Sequence, residues 1–560
     1  MTTGRKTGAD LIVQSLIEAG VEHVFGFPGG AVIPLYDALY DAPLTHILTR
    51  HEQGAAHAAD GYARATGRVG VCIATSGPGA TNLVTGLCNA YMDSVPIVAL
   101  TGQVAVPMIG NDSFQEADIY GITIPITKYN YLVKDVGQLQ RVIKEAFYIA
   151  QTGRPGPVLI DIPKDIQGAE VKPKKIGPTI LPGYILPNKG HPRQIEAMLG
   201  AIKNARRPVI YAGGGVVCSG ASAELREFIH KTQIPITTTL MGKGVYPEDD
   251  VLALGMLGMH GTKYANMAVH ESDLILALGV RFDDRVAGNV ANFAPLAKIV
   301  HIDIDPAEIG KRMAVDIPIV GDLKSILAMV NQSVEAVPRK RWLDRVAQLK
   351  AEHPLVYNKK GELKPQHIIQ TLSDLTQGRV IVVTDVGQHQ MWAAQYYRAM
   401  EPRRFLTSGG LGTMGYGFPA SLGAQVGRPG ETVVLLTGDG SFQMCIQELA
   451  TMRMFNLPVK VFIFNNGYLG MVRQWQEFFQ AKRYSQTHLA FNPDFVKVAA
   501  GYDIPGFHVS DPRRVKAAID KALAADGPIV VDFKVAPVEN VFPMIPSGGG
   551  QTDFMGEGDE

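Results

Sequence analysis

The sequence predicts an α/β protein of three doubly wound parallel-sheet domains, and three observations carry that prediction. Short apolar runs alternate with helical patterns over nearly the whole chain. Its 560 residues exceed a single core, since domains run to roughly 150 residues. The 60 glycines fall mostly at strand-to-helix junctions, where tight turns are needed, and not in low-complexity runs.

In chain order, a first unit over 1–175 has expected strands at 45–50, 69–75, 95–101 and 157–162. A Pro/Gly/Lys-rich stretch at 172–192 reads as a linker. The second unit, 190–335, has strand candidates at 207–212, 234–238, 273–278 and 298–304. A charged helical connector at 334–365 leads to the third unit, 365–545, with strands near 380–384, 404–407, 432–437, 459–464 and 528–533. The Gly-rich, acidic tail at 546–560 is compatible with disorder or with folding over a ligand.

Lys+Arg and Asp+Glu both total 53, so the balanced charge gives no attraction to nucleic acid or to an anionic membrane. No apolar run is long enough to span a bilayer, and residues 1–10 carry neither a signal core nor an amphipathic leader. Cys72, Cys88, Cys218 and Cys445 are scattered without a CxxC pair; they are expected to be buried free thiols in a reducing cytoplasm.

Ligands of open α/β sheets bind beyond the carboxyl ends of strands. The most informative such end lies within 433–466. An apolar strand runs into Gly438-Asp439-Gly440-Ser441, and Ile446, Leu449, Ala450 and Met454 then share a helical face. A second strand follows and ends in Asn465-Asn466. A right-handed crossover makes the two strands parallel, so Asp439 and Asn466 emerge at one edge. A carboxylate and an amide oxygen over a helix N-terminus suit Mg²⁺ bridging a diphosphate. Either turn alone would be an ordinary polar turn. Gly410-Leu411-Gly412-Thr413-Met414-Gly415 matches the dinucleotide fingerprint, but a lone match in a Gly-rich chain is weak, and the NAD reading is set aside. Gly213-Gly214-Gly215 follows a strand and could admit a pyrophosphate, or simply form a tight turn.

Gly438-Asp439-Gly440 with Asn465-Asn466 resembles the signature of thiamine-diphosphate enzymes. From Gly26-Phe27-Pro28-Gly29-Gly30 to Pro543-Met544 the chain resembles the catalytic large subunits of bacterial-type acetohydroxyacid (acetolactate) synthases. The resemblance implies thiamine diphosphate, Mg²⁺ and FAD as cofactors. It implies Asp439, Asn466 and the Tyr468 carbonyl as metal ligands. Around the thiamine diphosphate it implies Pro28, Gly29, Gly387, Gln388, His389, Gly412, Gly438, Gly440, Ser441, Gly470 and Met471, with Met414 propping the coenzyme into a V. Phe27 departs from the tyrosine of many relatives and is assigned no polar role.

Thiamine is activated when a carboxylic acid protonates its aminopyrimidine ring in an apolar pocket. Glu52 alone would be a solvated or N-capping carboxylate before the Ala-rich helix expected at 54–64. Within Arg50-His51-Glu52-Gln53-Gly54-Ala55-Ala56, the resemblance makes it the activating acid. Ser76-Gly77-Pro78-Gly79-Ala80-Thr81 belongs to the same pyrimidine-side architecture.

For FAD the resemblance implies Arg154, Gly213, Gly214, Gly215, Thr239, Leu240, Leu257, Gly258, His260, Gly279, Arg281 and Asp283, followed by Asp303, Ile304, Gly321 and Asp322. The carrying motif is Arg281-Phe282-Asp283-Asp284-Arg285, which a solvated loop with local ion pairs would also explain. In the substrate pocket it implies Phe114 against the second substrate, Gln115 near the thiamine, and Lys164 and Met259 along the access channel. Arg285 would hold the acceptor carboxylate and Trp475 would meet its alkyl tail.

The implied activity is decarboxylation of pyruvate and transfer of the two-carbon remainder to pyruvate or 2-ketobutyrate. Active sites between subunits of a homodimer or homotetramer, and a small valine-sensing regulatory subunit, come with it. A flavin-dependent pyruvate oxidase, another thiamine decarboxylase or carboligase, and a non-catalytic cofactor-binding scaffold are the competing readings. Glyoxylate carboligase lacks the activating glutamate.

Overall fold

The computed structural model describes residues 6–173 and 176–556. Positions 1–5 of the N-terminal segment, 174–175 of the linker and 557–560 of the tail lie outside them. Each of the three units carries a six-stranded parallel sheet. The central strands are apolar and wholly buried, as with Val433–Gly438 up to its last residue, because helices cover both faces of a parallel sheet.

Strand order distinguishes the units. Numbered within its own sheet, the first unit runs 2-1-3-4-6-5 and so does the third, whereas the second runs 3-2-1-4-5-6. The latter is the order of dinucleotide-binding folds, whose ligands lie where the winding reverses. That reversal falls between Pro208–Ala212 and Leu274–Leu278. In the third unit it falls between Ile381–Thr384 and Val433–Gly438, and in the first between His23–Gly26 and Gly70–Ala74.

All thirteen expected strands form, shifted by a few residues. Five more complete the sheets: His23–Gly26, Tyr129–Leu132, Ala253–Met256, Ile317–Val320 and Gly506–Val509. Each is four residues long, and all but the first lie at sheet edges. Runs such as Ile317–Val320 and Gly506–Val509 are only partly buried, so continuous apolarity does not mark them. The connector is helical only over Lys340–Glu352.

The first and third units share one continuous core. Helix Glu52–Thr66 crosses Gly417–Gly427 so closely that a Cβ on Gly61 would stand 2.0 Å from the Ala420 carbonyl, and one on Gly423 1.8 Å from that of Ala58. Only glycine permits such backbone contact. The described part of the tail, 546–556, is folded: Met544 and Met555 pair, and buried Gln551 accepts from the Ala294 amide at 3.1 Å. The cysteine expectation needs correcting. Cys72 and Cys445 are buried, but Cys88 is half-buried and Cys218 is exposed, because Cys218 lies on the wall of a large cleft.

Candidate functional site

In the third unit, residues converge on the sheet reversal. Gly438 pairs with Phe464, which brings Asp439 and Asn466 to the same edge. Asp439 is buried, and burial raises its carboxyl pKa. Its Oδ2 accepts from the Gly467 amide at 2.9 Å and from Asn492 Nδ2 at 2.6 Å. Asn466 Oδ1 accepts from the Tyr468 amide at 3.0 Å. Asn465 donates to Asp532 and shares the Asn492 amide with Asp439. Asn492 gave no sequence signal; it stands in an irregular segment before Pro493, far from either motif.

The helix N-termini here lack side-chain caps. Gln388–Tyr396 begins at Gly387 (φ 148°), Asp439–Gln443 at Gly438, and Gly470–Phe479 at Leu469, all without a capping side chain. Their orphan amides form a ready anion site. His389 is buried against Gly438, stacks on Phe464 at 6.2 Å and leaves Nε2 without a partner. Burial lowers its pKa to about 3, so it is neutral. Gln388 turns its amide to Gln474 and the Glu539 carbonyl, with Oε1 unpartnered. Ser441 donates to the Val386 carbonyl at 3.1 Å. Met414 reaches within 3.8 Å of where a Gly440 Cβ would stand. Uncapped amides, orphaned buried polar atoms and one carboxylate beside one amide fit a metal-bridged diphosphate. Among the described residues no three His, Cys, Asp or Glu side chains are grouped to hold a metal.

A second cluster lies at the reversal of the first sheet. Glu52 is the first residue of its helix and 9% exposed, and its Oε2 accepts from Asn82 Nδ2 at 3.0 Å. A Cβ on Gly79 would stand 3.2 Å from Oε1, and one on Gly29, after Pro28, 2.5 Å from Thr75. Gln115 takes φ 58° and packs its backbone on Gly77. Glu52, Gly29, the 76–79 turn and Gln115 therefore form one site. Phe114, on the same loop, is 88% exposed, and Lys164 is also exposed.

A cleft of about 1050 Å³ lies where the central and third units meet the first, whose residues 92–94 and 151–155 also line it. Of the residues implied for FAD, Arg154, Gly214, Gly215, Thr239, Leu240, Leu257 and His260 line it, as do Gly279, Arg281, Asp283, Asp303, Ile304, Gly321 and Asp322. Gly213 and Gly258 support its wall from behind; a Cβ there would strike the carbonyls of Gly279 at 2.3 Å and Arg285 at 2.6 Å. Several lining side chains are already engaged. Arg154 pairs with Asp305 and Glu308, and Asp322 caps a helix through Ser325. Burial lifts the Asp303 carboxyl to about 6, and lowers His260 to about 4, with Nε2 unpartnered. The glycine turn at the reversal of a 3-2-1-4-5-6 sheet fits a dinucleotide.

The same cleft continues past Met259 and Arg285 to Gly387, Gly412, Met414, Met471 and Trp475. Arg285 places its guanidinium 5.6 Å from the Trp475 ring centroid. Glu52, Gln115, Phe114 and Lys164 are not on its wall. Asp439, Asn466 and Tyr468 are not on it either, so the Glu52 cluster and the Asp439 edge stand as two half-sites beside the cleft. The GxGxxG segment is also resolved: Asp93 occupies the amides of Gly409 and Gly410, so they are not free for a phosphate.

Comparison with known proteins accords with this geometry. Residues 6–122, 195–330 and 385–533 match the N-terminal TPP binding, central, and C-terminal TPP binding domains of thiamine pyrophosphate enzymes. Acetolactate synthase 1, chloroplastic, of Zea mays is 52% identical over 100% of this chain and 90% of its own length. The probable acetolactate synthase large subunit of Methanocaldococcus jannaschii is 49% identical over 98% of this chain and 95% of its own. The acetolactate synthase of Arthrospira platensis is 49% identical over 99% and 98%. With uncapped helix ends around Asp439 in one domain and a buried glutamate in another, the chain belongs to the acetolactate synthases, thiamine pyrophosphate enzymes that transfer a two-carbon unit.

Proposed function

We propose that the chain decarboxylates pyruvate and joins the two-carbon remainder to a second pyruvate or to 2-ketobutyrate, yielding 2-acetolactate or 2-aceto-2-hydroxybutyrate on the route to branched-chain amino acids. The observation that carries the reading is the single cleft running from the Gly213–215 turn to Met414 and Trp475. When bound, thiamine diphosphate supplies a carbon nucleophile and an electron sink. Asp439, Asn466 and the Tyr468 carbonyl hold Mg²⁺; the amides at Gly387–His389 and Gly470–Met471 take the diphosphate charge. Glu52 holds a proton at the aminopyrimidine ring nitrogen, supported by Asn82. Arg285 pairs with the acceptor carboxylate, while Trp475 meets its alkyl group. FAD occupies the central arm of the cleft, although decarboxylation with addition transfers no net electrons.

The two half-sites become one when the Glu52 cluster of one chain meets the Asp439 edge of another, so the working unit is a homodimer or a pair of them. Two of the relatives are named large subunits, in Methanocaldococcus jannaschii and Methanococcus aeolicus, and that naming supports a small regulatory partner for this chain. Among the described residues no helix is long and apolar enough to cross a membrane, and a cytoplasmic setting suits four unpaired cysteines.

The deciding experiment supplies pyruvate and 2-ketobutyrate together to the purified chain with Mg²⁺, thiamine diphosphate and FAD. Both acetohydroxyacids are expected. Release of acetaldehyde alone, or reduction of the flavin during turnover, would replace the reading with a decarboxylase or an oxidase. Glu52→Gln should lower the rate by about 10²–10⁴-fold while leaving cofactor binding in place.

A further inference from the structure

The loop at 408–417 carries Gly412 and Met414 along the cleft wall, and it is held from outside its own domain. Asp93 caps the C-terminal end of helix Val84–Met92 in the first unit, and its side chain is fully buried. Its two oxygens accept separately: Oδ2 from the Gly409 amide at 2.9 Å, Oδ1 from the Gly410 amide at 2.7 Å. Arg64 Nη2 donates to Oδ2 at 2.8 Å and is itself paired with buried Asp60. One turn back on the helix, Asn89 Oδ1 accepts from Ser408 Oγ at 2.6 Å and from Thr413 Oγ1 at 3.2 Å. At the far end of the loop, buried Asp385 accepts from the amides of Gly415 and Gly417 at 2.9 and 3.1 Å.

The loop is therefore strung between two carboxylates from different domains. Between them, Gly412 (φ 70°) has open space where a side chain would be, with Val386 the nearest neighbour at 3.9 Å. A segment with three glycines in four positions has many accessible conformations, and fixing one requires contacts from elsewhere. Charge-assisted hydrogen bonds from a buried carboxylate are the stronger kind.

We propose that Asp93, seconded by Asn89, is a positioning residue for the coenzyme: it sets the loop on which Met414 stands and acts only through that loop. The inference rests on the assignment of Met414 to thiamine. It has a direct consequence. Asp93→Asn keeps the volume but offers one acceptor oxygen where two amides and a guanidinium need them. Titration of the flavin-loaded chain with thiamine diphosphate and Mg²⁺, without substrate, followed by intrinsic fluorescence, should show affinity weakened about tenfold, or ~1.4 kcal/mol. Flavin affinity should stay within about twofold, even where loss of the buried Asp93–Arg64 pair lowers the melting temperature. Thr413→Val, which removes one donor to Asn89 without changing the fold, should weaken thiamine binding in the same direction by less, and decides the matter should Asp93→Asn fail to fold.

Met414→Ala serves as the reference. If it weakens thiamine binding while Asp93→Asn and Thr413→Val do not, this proposal falls and the thiamine assignment stands. If Met414→Ala also has no effect, the assignment and the proposal fall together. Parallel loss of flavin affinity, thiamine affinity and melting temperature in Asp93→Asn would mean that Asp93 merely joins domains, and would likewise overturn it.

Discussion

Glu448 and Arg50 stand 398 positions apart in sequence, yet both carboxylate oxygens of Glu448 accept from the Arg50 amide, at 3.0 and 3.2 Å. Glu448 is fully buried, and burial raises its pKa. Thr451 Oγ1 donates to Oε2 at 2.7 Å, and a side chain on Gly54 would strike the carboxylate. The third domain thus grips the turn that presents Glu52.

Removing that grip should separate stability from chemistry. Glu448→Ala leaves the Arg50 amide without its acceptor, at about 1–3 kcal/mol, while Thr451 keeps the Leu48 carbonyl. The melting temperature and kcat should both fall, with little change in KM for pyruvate. Glu448→Gln, which still accepts, should recover most of kcat; equal loss in both variants would mean that the contact does not position Glu52.

The glycine crossing of the first and third domains predicts a steric asymmetry. Gly61→Ala drives a methyl into the Ala420 carbonyl, and overpacking of this kind costs about 1–3 kcal/mol or more. Gly200→Ala, in a helix with open space at that position, should instead stabilise by up to about 1 kcal/mol. Thermal melts of the two variants should shift in opposite directions.

Asp161 predicts a pH dependence. Its carboxyl accepts from Thr101 Oγ1 at 2.7 Å and Gln103 Nε2 at 3.0 Å. Burial, reinforced by Asp118, raises its pKa to about 7 against those hydrogen bonds. A folded pKa above the unfolded value stabilises fully at low pH, and that contribution is lost as pH rises through about 7. Relative to Asp161→Asn, the native chain should lose about 4 kcal/mol between pH ~4 and pH ~8. The native melting temperature should fall relative to that of Asp161→Asn over that window; a constant difference would contradict the assignment.

Trp475 and Arg285 predict selectivity. Trp475→Leu should reduce the preference for 2-ketobutyrate over pyruvate within the ~10–200-fold range of one methylene, read from product ratios under mixed substrates. Arg285→Lys keeps the charge but loses the planar fork and the ring contact, so KM for the acceptor should rise more than kcat falls.

Three domains, their chemistry and most of the strands were legible in the sequence because the signals are local. Val433–Gly438 announces itself by continuous apolarity, and Asp439 by the turn that ends it. The five added strands were not legible, since a run such as Ile317–Val320 acquires its meaning only from the neighbour it pairs with. Asn492, the Glu448–Arg50 contact and the two anchors of the 408–417 loop were hidden for the same reason. Residue types and their order along the chain determined the chemistry. Which acid meets which amide across hundreds of positions was decided by helix Glu52–Thr66 packing glycine-to-backbone on Gly417–Gly427, because a hydrogen bond depends on distance in space and sequence spacing fixes that distance only within a turn or a strand.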